Sequence, residues 1–159
     1  MVRHGENRRR SPWLISRLLL AFLGMAVAGV SVSAANRAIN FAAPATAPAG
    51  SKVAITITAS TDAGAGEKIG FFHAEYSVDG GIAWAPISYA QNEEAPAKHG
   101  IICTAGTAGS TIKVRARIAF RGGKAGDVDF TGKPIAWETS WAKWQAPPTK
   151  TASIAILAK

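Results

Sequence analysis

Hydrophobic and polar residues alternate along much of this chain, which is the pattern of half-buried β-strands. Residues 51–60, SKVAITITAS, place three β-branched side chains on one face, those of Val53, Ile55 and Ile57. Residues 109–123 show the alternation most clearly, with an apolar face opposite a basic one. The apolar face consists of Ile112, Val114, Ala116, Ile118 and Phe120, and the basic face of Lys113, Arg115, Arg117 and Arg121. Both segments are therefore predicted to be strands with one buried face.

The remaining strands are predicted from shorter runs that lie between turn signals. These runs are FFHAEYSV at 71–78, IAWAPISYA at 82–90 and TASIAILAK at 151–159, with a loop or short edge strand at 123–134. The polar stretch 91–100 is predicted to be a loop. The Trp-rich segment 137–144 also has helical spacing, but Pro134 and Pro147 allow only a short turn of helix there. The chain is thus predicted to be all-β, an antiparallel sandwich of about seven strands.

The first 34 residues have the order of a signal peptide. A basic start precedes the uncharged run LLLAFLGMAVAGVSV, which at 15 residues is short for a membrane span of about 20. Val32 and Ala34 then supply small residues at the spacing that a signal peptidase accepts. We therefore expect residues 1–34 to be a cleaved signal peptide, with an uncleaved anchor as the weaker alternative. Residues 35–50 are expected to be an extended Pro/Ala lead-in, and residues 51–159 to form the domain.

This leader accounts for much of the positive charge. The whole chain has a formal charge of +8, but residues 35–159 hold 13 Lys and Arg against 9 Asp and Glu, a net charge of +4. An excess of that size is ordinary for a soluble domain, so no nucleic-acid partner is predicted. The leader predicts a secreted or periplasmic location, with membrane contact only through the transient leader itself.

Candidate metal and catalytic residues are few. Cys103 is the single cysteine, which excludes an intrachain disulfide, and its apolar neighbours favour a buried structural thiol. His73, Glu75 and His99 are scattered and form no tight ligand pair such as HxH, so they are predicted to be unrelated surface residues. No phosphate-binding loop or nucleophile elbow occurs in the sequence. We therefore predict no metal, no cofactor and no enzymatic activity.

The stretch EYSVDGGIAW contains the strongest local motif. Ser77, Asp79, Gly81 and Trp84 follow the order S-x-D-x-G-x-x-W. The Asp and Ser side chains are expected to bind turn amides, the glycine to adopt a positive φ, and the Trp to pack beneath the hairpin. This order resembles the Asp-box of sialidase-type propellers, in which the box is structural. A propeller needs four or more blades, which a single box in 125 residues cannot supply, so no sialidase activity is implied.

The wider chain resembles bacterial immunoglobulin-like and fibronectin type III-like domains. The segments that carry the resemblance are 49–61 for strand B, 71–81 for strand C, 111–123 for strand F and 151–157 for strand G. The resemblance implies a β-sandwich over most of residues 38–158. Two departures are the missing pair of cysteines and the long segment 122–148 between the F-like and G-like strands, where we expect a specialised function to lie.

The candidate binding residues are the tryptophans of that long segment and two arginines of the basic face: Trp137, Trp141, Trp144, Arg115 and Arg117. In fibronectin type III-like domains of the cytokine-receptor type, F-strand arginines interleave with tryptophans, and WETSW resembles that arrangement. Three alternatives remain open. The tryptophans can cap the core, they can form a platform for sugar rings, and the basic residues can simply be the solvated face of a strand.

These observations predict a secreted or periplasmic, non-catalytic immunoglobulin-like module for structure, assembly or protein interaction. Its partner would be another protein or a cell-surface component. The alternative hypothesis is a carbohydrate-binding module that holds a polysaccharide on a tryptophan platform.

Overall fold

The computed structural model describes residues 35–64, 66–135 and 148–159, and every regular element in this part is a β-strand. The chain divides into two units, Met1–Val32 and Ser33–Lys159, of which the described residues belong to the second. The prediction of a signal peptide at 1–34 falls outside the described residues. The all-β prediction is confirmed.

The described residues form eight strands, in the order β1 Arg37–Ala42, β2 Thr46–Pro48, β3 Lys52–Thr61, β4 Lys68–Ser77, β5 Ala85–Glu93, β6 Ala97–Thr104, β7 Thr111–Arg121 and β8 Lys150–Leu157. They form a three-stranded sheet, β1-β3-β6, and a five-stranded sheet, β2-β8-β7-β4-β5. Neighbouring strands are antiparallel, except that the short β2 runs parallel to β8. One hydrophobic core draws residues from both sheets, so the two sheets pack as layers.

The strand faces that alternation assigned to the core are buried. Val53, Ile55 and Ile57 of β3 are at most 2% exposed. The whole apolar face of β7 has no exposed surface: Ile112, Val114, Ala116, Ile118 and Phe120. In β8, Ile154 and Ile156 are also buried. Period-two alternation therefore identified the inner face of three strands correctly.

The prediction that residues 35–50 form a lead-in outside the domain is wrong. This segment contains β1, which pairs in register with β3 from Arg37↔Thr61 to Ala42↔Thr56, and β2, which pairs with β8. Ile39 is 1% exposed, so β1 contributes to the core. The Pro and Ala residues that follow β1 obscured its short alternating run RAINFA in the sequence.

The prediction of a loop over residues 91–100 is wrong as well. It covers the end of β5 and the first half of β6, an edge strand of the three-stranded sheet. Ala97 and Cys103 are buried while Lys98 and Ile102 are exposed, so β6 alternates, but with small or polar residues at several positions. Cys103 is a buried free thiol, as expected, and burial raises its pKa.

The described part of the long segment after β7 is a loop. It is held by isolated bridges that join Phe120 to Val128 and Val128 to Pro134. Asp129 organises it, because its carboxylate accepts from the Thr131 amide at 2.7 Å and from the Lys133 amide at 3.1 Å. This agrees with the prediction of a loop or short edge strand over residues 123–134.

Candidate functional site

The hairpin between β4 and β5 is held by two side chains. The Ser77 hydroxyl accepts from the Gly81 amide at 2.7 Å, and the Asp79 carboxylate accepts from the Ile82 and Ala83 amides at 3.0 Å. The Ser77 hydroxyl also donates to Asp79 at 2.5 Å. That bond and the Ala83 amide hold the pKa of Asp79 below its usual value. These hydrogen bonds match the role that the sequence predicted for Ser77 and Asp79.

Glycine and tryptophan complete this turn. Gly80 and Gly81 have φ values of 77° and 102°, a region that residues with a Cβ rarely adopt. The Trp84 indole nitrogen donates to the Gly81 carbonyl at 3.1 Å. The indole ring therefore folds back against the turn, and it reaches the neighbouring strand β7. There the Arg115 guanidinium lies 3.8 Å from the ring centroid, which is cation–π geometry.

Arg115 links this hairpin to a polar cluster on the outer face of the five-stranded sheet. Its guanidinium donates to one Glu75 oxygen through Nε at 2.9 Å and through Nη2 at 2.5 Å, while the Tyr89 hydroxyl donates to the other oxygen. Burial by itself would raise the pKa of Glu75, but the hydrogen bonds from Tyr89 and Arg115 outweigh it and lower the pKa. Glu75 is therefore an ionised carboxylate with three strong donors.

His73 and Arg117 extend the cluster. Arg117 Nε donates to His73 Nδ1 at 3.0 Å, so Nδ1 is an acceptor and the ring proton resides on Nε2, 3.5 Å from a Glu75 oxygen. The His73 ring also packs against Tyr89, with centroids 4.4 Å apart. Burial, followed by the charge of Arg117, lowers the pKa of His73 to about 4. Within this cluster the histidine is neutral at pH 7.

Two surface assignments need correction. Arg117 is 3% exposed, so the basic side of β7 is not a solvated face along its whole length. His73 and Glu75 are 7% and 8% exposed and share one hydrogen-bonded cluster, rather than being unrelated surface residues. The cause lies in strand register, since His73 is opposite Arg117 and Glu75 is opposite Arg115 across β4 and β7. Alternation in the sequence showed that these groups share one side of their strand. It could not show which residues of the two strands lie opposite each other.

A groove of about 410 Å³ lies beside this cluster. It is lined by Trp84, Lys113, Arg115, Thr149, Thr151 and Ser153. Lys113 is exposed and forms no ion pair among the described residues. The buried Thr149 hydroxyl has no hydrogen-bond partner within the described ranges. The groove therefore combines an aromatic wall, a cation and several hydroxyl groups.

The predicted site residues have different outcomes. Trp137, Trp141 and Trp144 lie outside the described residues, so neither the Trp–Arg ladder nor the sugar platform built on them is tested. Arg115 does stack on a tryptophan, but on Trp84 of the hairpin. The Asp-box-like residues and the basic face, which the sequence treated as separate features, thus meet at one place through Arg115.

The other candidate ligands do not converge with this cluster. His99 Nε2 lies 2.7 Å from a Glu93 oxygen, and its ring packs on Phe72 with centroids 4.6 Å apart. In the ranges that the structure describes, no group of three or more His, Cys, Asp or Glu residues is arranged to hold a metal ion. Within the same ranges, no helix has the length and hydropathy needed to cross a membrane.

Comparisons with known proteins give little further information. No protein-family model and no curated protein matches the chain. Among solved structures, the sporulation control protein Spo0M from Bacillus subtilis matches at 11% identity over 80% of this chain and 51% of that one, with a TM-score of 0.38. The chain thus covers about half the length of that protein, and a similarity of this degree carries no argument about fold or function.

Proposed function

We propose that this protein is an exported, non-catalytic immunoglobulin-like module that binds a protein of the cell surface through the groove beside Trp84. The observation that carries the proposal is the contrast between the polar cluster and the groove. In the cluster, Glu75, His73 and both arginines engage one another. In the groove, Lys113 is exposed and forms no ion pair among the described residues.

The strand order supports the assignment to the immunoglobulin-like class. In that class one sheet contains strands A, B and E while the other contains C, F and G. Here β1, β3 and β6 occupy the first sheet, and β4, β7 and β8 are neighbours in the second. The segments that resemble strands C, F and G in sequence are the ones that pair in this way.

The state of the polar cluster supports a role in binding rather than in catalysis. A general base needs a pKa near the working pH and an open approach to its substrate. The pKa of His73 is about 4 because the ring is buried and lies next to Arg117, and its Nδ1 already accepts a hydrogen bond. Glu75 is likewise bound by Arg115 and Tyr89. These groups hold β4, β5 and β7 together, and Arg115 among them lines the groove.

In vivo photo-crosslinking tests the proposal. A photoreactive residue at Ser153, in the groove, should form a covalent adduct with a cell-surface protein. The same residue at Asn40, an exposed position on the edge strand β1 of the three-stranded sheet, is the matched control and should form none. Adducts at both positions or at neither would contradict the proposed groove.

The mass of the exported protein tests the leader, because cleavage should produce an N-terminus near Ala35.

Polysaccharide is the second candidate ligand, because Trp84 and the exposed residues Thr151 and Ser153 give the groove an aromatic ring and hydroxyl groups, which match the chemistry of sugar rings. A Ser153 adduct that glycosidases degrade and proteases leave attached would select this alternative. In that case the substitution Lys113→Ala should reduce co-sedimentation with the polysaccharide, whereas Lys124→Ala, at an exposed site outside the groove, should not.

A further inference from the structure

The four edge strands of the two sheets differ in how they resist the addition of another strand. β2 has only three residues and ends in Pro48, which lacks an amide hydrogen. β5 contains Pro86, pairs with β4 through a register shift and has a positive φ of 54° at Asn92. In β1, the Ile39 carbonyl already accepts from the Lys150 ammonium at 3.3 Å. Each of these features hinders strand pairing at that edge.

β6 is the exception among the described strands. It has eight residues, contains no proline and pairs with β3 without a register shift from Lys52↔Thr104 to Ala59↔Ala97. No described side chain bonds to its backbone, and β3 is its one partner strand. Long, regular and unprotected edges of this kind are the ones to which further strands add.

The outer face of β6 carries an exposed apolar side chain beside a glycine. Ile102 is 68% exposed. Gly100, two residues earlier on the same face, has no side chain because a Cβ there would lie 2.9 Å from the Ile55 carbonyl oxygen. The strand therefore presents an exposed isoleucine next to a position that has no side chain, so that in an inverted copy the isoleucine faces a residue without a Cβ.

We propose that β6 pairs with β6 of a second copy of this chain, antiparallel, across a two-fold axis at Ile101. Opposed residues in such a pair must lie on the same face of the sheet. This register places Ile102 of each copy opposite Gly100 of the other, so that both isoleucines become covered. Lys98, the one lysine on β6, then lies opposite Thr104.

Two neighbouring registers keep the same faces, and both are less favourable. The register centred on Ile102 pairs only residues 100–104 of each strand, five rather than the seven of the Ile101 register. The register centred on Gly100 places Gly100 opposite Gly100 and Lys98 opposite Ile102. The Gly100 register sets a cation against each isoleucine, while the Ile101 register sets each isoleucine against a glycine and each Lys98 against Thr104. The side chains of β6 thus select both the partner, a second copy, and the register.

Analytical ultracentrifugation of the protein, purified in the form that cells produce, tests the pairing. The wild type should be a dimer, and Ile102→Lys should weaken self-association by at least about tenfold, because it replaces the apolar side chain that lies over Gly100 with a charged one. Ile82→Lys is the matched control, since Ile82 is 87% exposed but lies in the β4–β5 turn. A monomeric wild type, or a dimer that Ile102→Lys leaves intact, would overturn the proposal.

Cysteine cross-linking tests the register and remains decisive if Ile102→Lys does not fold. Lys98 and Thr104 lie too far apart along one strand for an intrachain bond, so Lys98→Cys/Thr104→Cys should oxidise to a covalent dimer. Neither single variant should form this disulfide-linked dimer. The native Cys103 should not form one either, because its thiol is buried. If the double variant cross-links no better than the single ones, the Ile101 register is wrong.

Discussion

The outer faces of the two sheets differ in solvent exposure more than their sequences suggest. On the three-stranded sheet, Ala54 and Lys98 are exposed and Ile102 keeps 68% of its surface. On the five-stranded sheet, only 3% of the Arg117 surface is exposed, although this residue too belongs to the polar side of an alternating strand. The cause is the register of β4 against β7, which sets a histidine and a glutamate opposite two arginines.

This comparison shows that a polar position on a strand need not be a solvated one. When complementary groups on neighbouring strands pair, they can exclude water from the outer face and take on a structural role. Where the opposed residues are small or aliphatic, as with Ala54 and Ile102 in the three-stranded sheet, the face stays open. Four experiments test this contrast, in order of decreasing expected effect.

The largest effect is expected for Arg117→Asp. The substitution removes the buried donor to His73 and places a second carboxylate near Glu75, so the free energy of unfolding should fall by about 3–5 kcal/mol. Ala54→Asp, on the outer face of the other sheet, should change it by less than about 0.5 kcal/mol. Urea denaturation measures both. Equal effects would mean that the two outer faces do not differ in burial.

A change of pH tests the same cluster without altering its shape. His73 has a pKa of about 4 in the folded protein and an ordinary value of 6.5 when unfolded. The unfolded state therefore binds more protons between these values, and stability should be full above pH 6.5 and fall as the pH drops toward 4. The expected loss is on the order of 2–3 kcal/mol. Denaturation curves across this pH range measure it.

Replacing each of the two described histidines in turn provides the control. His73→Gln should remove most of the pH dependence between 6.5 and 4, because the group that gains a proton on unfolding is gone. His99→Gln should leave that dependence in place. If His99→Gln flattened the curve instead, the acid sensitivity would reside in the three-stranded sheet and not in the cluster.

The contact between Trp84 and Arg115 should have a smaller effect. Their cation–π contribution is expected to be about 0.5–1 kcal/mol, since both side chains are partly exposed. A double-mutant cycle with Trp84→Ala and Arg115→Ala should therefore show non-additive losses of stability. A coupling energy of zero would mean that Trp84 and Arg115 do not stabilise each other. The hairpin and the cluster would then not form a joint site.

The smallest effect is expected for Asp79→Ala at the exposed tip of the hairpin. It removes the carboxylate that accepts from the Ile82 and Ala83 amides, so Tm should fall by less than in Trp84→Ala. Calorimetry measures the shift, and Ile82→Ala, at a solvated position of the same turn, should leave Tm unchanged. A larger loss than in Trp84→Ala would place the main stabilising contact in the turn itself.

The sequence by itself determined the all-β class, the inner faces of β3, β7 and β8 and the hydrogen bonds of the β4–β5 turn. Each of these depends on residues close together in the chain. Strand alternation has a period of two, and Ser77 and Asp79 bond to amides within four residues. β1 and β6 were missed because their alternating runs are short or interrupted by small and polar residues, which weakens the only signal that local pattern provides.

Tertiary structure alone decided the polar cluster, the groove and the exposed edge of β6. Glu75 and Arg115 are 40 residues apart and His73 and Arg117 are 44 apart, so only the pairing of β4 with β7 brings them together. Trp84 reaches Arg115 for the same reason. The edge of β6 exists because the three-stranded sheet ends there. Alternation states which side of a strand a residue occupies, but register and sheet order decide what lies opposite it, and those depend on the energy of the whole packed fold.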